Sequence, residues 1–175
     1  MMNCLKKIAA CLGMLGIVLS AQAQNIQEKV MKERVSFKNG PWTMAGELYL
    51  PEGFSTESKY AAVIVVHPGG GVKEQTAGKY AELMAGDGFV AIAFDASHQG
   101  ESEGEPRRLD SPYNRVEDVK CAVDYLTTLP YVDRSRIGAM GICAGGGYAI
   151  NAALTEKRIK AVAGISPVDA GLSTG

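Results

Sequence analysis

The residues Gly141-Ile142-Cys143-Ala144-Gly145 combine a nucleophilic side chain with a spacing that would expose it. A cysteine thiolate attacks acyl carbonyls readily. At a sharp strand-to-helix turn the central side chain is lifted clear of the sheet, and the residues two positions either side must be small. Here both are glycine. The turn also puts Cys143 at a helix N-terminus, where the dipole favours a thiolate. The next N–H, from Ala144, points into the same space and supplies one donor of an oxyanion hole. The pattern also fits a buried structural cysteine beside a glycine contact. The apolar run before it and the helical run after it favour the nucleophile. A dinucleotide loop is excluded, because G-x-G-x-x-G would need glycine at Cys143.

Three further polar, glycine-rich stretches follow apolar runs. In His67-Pro68-Gly69-Gly70-Gly71, consecutive glycines let the backbone approach a substrate oxygen and aim N–H groups at it; an ordinary glycine-rich turn has the same composition. The others are Asp95-Ala96-Ser97-His98-Gln99-Gly100 and Ser166-Pro167-Val168-Asp169. His67, Gly71, Ser97 and His98 are candidate pocket residues, and Asp169 is a candidate acid. His67 is expected chiefly to shape its own loop, and His98 to sit on the rim or touch substrate. No metal-ligand spacing and no cofactor motif is evident, so no cofactor is expected.

The elements that must position these residues can be read from hydrophobic period. Residues 34–38 and 42–50 alternate around Asn39-Gly40, a tight-turn signal, and predict an antiparallel hairpin. Residues 61–66 and 89–94 are continuous apolar runs, as expected for strands buried on both faces, and residues 136–142 and 159–165 are also expected to be strands. Residues 75–87, 115–129 and 144–155 carry helical spacing. On a helical wheel of residues 115–129, Cys121 falls among Lys120, Asp124 and Thr128, away from the apolar face. Alternating strands and helices predict an α/β fold: a hairpin followed by a mostly parallel sheet with helices on both faces. Such sheets bind ligands at the carboxyl ends of their strands, where all four polar stretches fall.

The 175 residues have a formal net charge of -1 and 46% hydrophobic content, which fits a globular domain and gives no basic surface for nucleic acid. Lys6 and Lys7 precede an apolar run and Ala21-Gln22-Ala23, so residues 1–23 are expected to be a secretory signal peptide. Export to the periplasm or the medium follows, with no membrane span after cleavage. Residues 24–32 are expected to be loose, with the domain over 33–175. Cys121 and Cys143 remain after cleavage and are expected to be free thiols.

The segments "VVHPGGG", "FDASHQGESEGEPR", "RVEDVKCAVDYLTTLPYVDRSRIGAMGICAGGGYA" and "IKAVAGISPVD" together resemble the α/β-hydrolase family, and within it the dienelactone hydrolase-like exported hydrolases. The resemblance runs from about residue 30 onward. It implies a nucleophile, a histidine and an acid acting on an ester, lactone or similar acyl bond of a small molecule. Carried over, Cys143 is the nucleophile, and the Ala144 N–H with an N–H from Gly69, Gly70 or Gly71 forms the oxyanion hole. The sequence departs from the pattern at its end. No histidine follows His98, and the family's last strands are missing. The domain is therefore expected to be incomplete, with residues 159–165 forming an open apolar edge suited to self-association. Two alternatives stand beside the hydrolase: a catalytically silent binding domain or gene remnant, and a redox-active Cys143.

Overall fold

The computed structural model describes residues 30–169. The expected signal peptide and most of the expected loose segment lie outside those residues.

Six strands form one sheet: β1 (Met31–Asn39), β2 (Trp42–Leu50), β3 (Tyr60–Val66), β4 (Val90–Phe94), β5 (Val132–Ile142) and β6 (Ile159–Ile165). Their spatial order is β1-β2-β4-β3-β5-β6. β1 pairs antiparallel with β2, and β2 antiparallel with β4, while β4, β3, β5 and β6 run parallel. The hairpin is longer than expected. Met31 and Lys32 belong to the domain, paired with Leu50 and Tyr49.

Three helices cover the sheet: α1 (Gly78–Gly86), α2 (Pro112–Thr128) and α3 (Ala144–Thr155). A π-helical turn, Lys73–Ala77, leads into α1. α2 starts a turn earlier than its apolar period suggests. Pro112 fits its first turn, where an N–H has no acceptor to lose. It stops before Leu129-Pro130, because a residue preceding proline is pushed out of helical geometry. Its buried stripe, Val119, Ala122, Val123 and Leu126, packs with Ala149 and Ala152 of α3 on Leu48, Ile64, Ile92 and Phe94. Burying each of the larger aliphatic side chains stabilises the fold by about 1.5–3 kcal/mol. On the other face, Ala77, Ala81 and Ala85 lie on Tyr49, Val63, Val65, Ala91 and Ala93. Small residues there let α1 sit close to the sheet.

Among the described residues β6 is one edge of the sheet and β1 the other, and five of the seven β6 residues are exposed. An apolar hollow of about 410 Å³ lies beside β6, lined by residues such as Met84, Phe89, Met140 and Val162. Among the described residues no helix is long and apolar enough to cross a membrane. Cys121 and Cys143 are both free. Cys121 differs from its expected placement. It is partly buried against the main core, and burial with the nearby Asp124, Asp118 and Glu117 carboxylates pushes its thiol up to about 11.

Candidate active site

Cys143 joins β5 to α3 with φ 55° and ψ -123°, a backbone conformation strained for a residue with a side chain. Its N–H donates to Ile165 O at 3.0 Å, and its carbonyl accepts from Gly146 N–H at 2.9 Å and Val168 N–H at 3.1 Å. The end of β6 therefore clamps the turn from both sides. Both flanking glycines are obligatory. A Cβ on Gly141 would stand 2.1 Å from Gly145 O, and one on Gly145 would stand 2.4 Å from Val66 O and 2.5 Å from His67 O. The Cys143 side chain is left exposed. Ala144 opens α3, so its N–H has no acceptor within the helix.

The close approach of Gly145 to β3 brings the 67–71 loop onto the start of α3. A Cβ on Gly69 would lie 3.6 Å from Ala144 Cβ. Gly70 has φ 68°, which glycine adopts without cost, and it stands third in a turn closed by Gly71 N–H donating to Pro68 O at 3.0 Å. That bond removes Gly71 from the candidate N–H donors and leaves Gly69 and Gly70.

The remaining candidate pocket residues have other partners. His67 is 1% exposed. Its Nδ1 lies 2.7 Å from Pro68 O and its Nε2 accepts the Ala96 N–H at 3.1 Å, so the ring is the neutral Nδ1–H tautomer. Burial first, and then the adjacent Arg115 guanidinium, lower its pKa to about 3. Ser97 is buried too, and both its N–H and its hydroxyl donate to Asp118 Oδ2. His98 is no rim residue. It is 2% exposed, with φ 69°, its ring edge-on to Trp42 at 4.6 Å and its Nε2 3.2 Å from Asn114 Nδ2. Asp169 is exposed and lies over the first turn of α3, where a Cβ on Gly147 would come 3.9 Å from its Cα. With Pro112, Tyr148, Asn151 and Val168 it lines a cleft of about 420 Å³. A hollow of about 570 Å³ around Lys59, Pro130 and Asp133 lies where β3 and β5 begin, at the wrong end of the strands for this chemistry.

Several polar residues were not legible in the sequence. Arg115, 1% exposed, donates from Nη2 to His67 O at 2.7 Å, and its guanidinium lies 5.0 Å from the centre of the Tyr148 ring. Asp118 receives Asn39 Nδ2 as well as Ser97, and burial raises its pKa against those bonds. Asp110 Oδ2 would lie 3.3 Å from a Cβ on Gly69, which puts this carboxylate beside the glycine loop. Contrary to the expectation from spacing, carboxylates do converge: oxygens of Glu74, Asp95 and Glu101 lie within 4.8 Å of one another. Lys73 Nζ is ion-paired with all three and sits where a cation would, so the group is a charge cluster holding the loop after β4.

The fold agrees with the comparisons. Residues 44–172 match the dienelactone hydrolase family. The chain belongs to that family. It is 54% identical over 145 residues to the uncharacterised protein YcjY of Escherichia coli, covering 81% of this chain and 47% of that one. The crystal structure of hypothetical protein PA2218 from Pseudomonas aeruginosa superposes with a TM-score of 0.76 at 46% identity, over 81% of this chain and 44% of that one. The thiohydrolase aneE of Aspergillus aculeatus is 33% identical over 125 residues, 71% of this chain and 38% of that protein. The chain thus spans less than half the length of each.

Proposed function

We propose that this chain carries the nucleophile and the oxyanion hole of a hydrolase acting on an ester, lactone or similar acyl bond. The observation that carries this reading is the Cys143 turn. Its positive φ is held between Gly141 and Gly145, and its side chain is exposed at a helix start beside the 67–71 loop. These features support reading the turn as a nucleophile elbow. Cys143 Sγ, as thiolate, adds to the substrate carbonyl carbon. The Ala144 N–H and an N–H of Gly69 or Gly70 stabilise the oxyanion, an effect worth about 3–4 kcal/mol per donor. Collapse of the intermediate breaks the acyl C–O bond and releases the alcohol, which takes up a proton. Water then cleaves the thioester to the acid and restores the thiol.

Neither histidine of the sequence is assigned the role of base. His67 has both ring nitrogens occupied, and His98 is buried against Trp42. The acid predicted at Asp169 stays with this reading, since it lies over the same helix turn as Cys143. The family relationship supports a small-molecule substrate. The test is a stopped-flow reaction with p-nitrophenyl acetate. The expected result is a stoichiometric burst of nitrophenolate that Cys143→Ala abolishes. An undiminished burst in that variant would remove the assignment.

A second reading has an observation of its own, the exposed apolar edge of β6 beside an apolar hollow. In it the chain binds a second copy through that edge and need not turn over substrate. Export also remains part of the proposal. N-terminal sequencing of the protein recovered from a periplasmic fraction should begin at Gln24, and an intact Met1 there would contradict it.

A further inference from the structure

Asp110 stands two residues before α2, where the helix dipole favours a carboxylate, and its side chain is 32% exposed. Its Oδ1 lies 3.5 Å from the Tyr148 hydroxyl and 3.9 Å from Arg115 Nη1, both too long to be strong hydrogen bonds. Its Oδ2 faces Gly69, at 3.3 Å from where a Cβ would stand, and the Ala144 methyl lies 3.6 Å from that same point. The carboxylate thus borders the glycine loop, which itself packs on the start of α3. The opposing charge sits behind it. Arg115 is 1% exposed and is engaged by the His67 carbonyl and the face of the Tyr148 ring. The Asp110 carboxylate is thus more exposed than the Arg115 guanidinium behind it.

We propose that Asp110 is a selectivity residue that repels acyl groups bearing a carboxylate, so that the site takes neutral or cationic acyl substrates. The inference rests on Cys143 being the attacking group. The physical basis is the repulsion between the Asp110 carboxylate and an anion brought up to the glycine loop, an interaction that added salt screens.

Alkylation of Cys143 tests it without requiring turnover. Iodoacetamide is neutral and iodoacetate is its anionic counterpart. Their rates at the Cys143 peptide, followed by mass spectrometry in the full chain at low ionic strength, give a ratio. The expected ratio favours iodoacetamide over iodoacetate about threefold or more beyond that of a free thiol. Asp110→Asn should bring it down to the free-thiol value, and Asp110→Glu should keep it. Adding salt to the unmutated protein should lower it in the same direction, which reads the charge even if a variant fails to fold. A ratio in the unmutated protein that equals the free-thiol value, or that salt leaves unmoved, would overturn the inference while leaving Cys143 as nucleophile. Failure of both reagents to label Cys143 would overturn both readings.

Discussion

Cys143 holds a conformation that costs roughly 1–3 kcal/mol because backbone from β3, β6 and its own helix leaves it no alternative. Gly145 is wedged against the Val66 and His67 carbonyls. Gly145→Ala should destabilise the domain by about 1–3 kcal/mol in urea unfolding and should slow Cys143 alkylation, since those carbonyls are backbone and cannot rotate away. An unchanged midpoint would show that the approach is looser. His67 makes a pH prediction at the same scale. With its folded pKa at about 3 against 6.5 ordinarily, it binds no proton in the native state across that window, whereas the unfolded chain does. Stability is therefore present above pH 6.5 and falls as pH drops towards 3, by about 1.4 kcal/mol per pH unit. Between pH 6.5 and about 5.5, above the ordinary carboxylate range, His67 should contribute to the slope, and His67→Gln should flatten it. A slope that persists in that variant would assign it elsewhere.

The loop after β4 is organised around one buried pair. Lys73 Nζ and Asp95 Oδ2 lie 2.8 Å apart with both side chains 1% exposed, and Asp95 also accepts the Lys73 and Glu101 N–H groups. Lys73→Met leaves that carboxylate buried without its cation and should cost about 3–5 kcal/mol in urea unfolding, with part recovered by adding Asp95→Asn. Equal losses in the single and double variants would contradict this coupling. This cluster also marks how far the sequence can be read. The bounds of β2 and α3 follow from alternation and a glycine elbow, both of which are local signals. Strand-end position groups Cys143, Ala144, Gly69 and Gly70, and the glycine loop does lie beside Ala144, because a parallel sheet brings its carboxyl ends together. Placement of polar side chains was not local. Ser97 and His98 looked like pocket residues from their position, yet contacts with Asp118, Trp42 and Asn114, from distant parts of the chain, draw them into the interior. Lys73, Arg115 and Asp118 carry no sequence signal for burial, since each is buried only because its partners arrive from other elements.

At the scale of the whole molecule, the sheet of the described residues has β1 of the hairpin at one edge and the apolar β6, open, at the other. Apolar residues such as Val162, 37% exposed, lie along that open edge. A strand in this state pairs readily with another chain. Light scattering behind a sizing column should show association at micromolar concentration that Val162→Lys reduces, and a monomer at all concentrations would count against the edge-pairing reading. The hydrolase reading stands on a different part of the molecule and is tested most directly by locating an acyl group. The protein is mixed briefly with p-nitrophenyl acetate, quenched in acid and digested, and the acetylated peptide is identified by mass spectrometry. Acetyl on Cys143, formed faster than on the same chain unfolded in urea, and little on the half-buried Cys121, is the predicted result. Acetylation at Cys143 no faster than in the unfolded chain, or equal labelling of the two thiols, would contradict the assignment of Cys143 as an activated nucleophile.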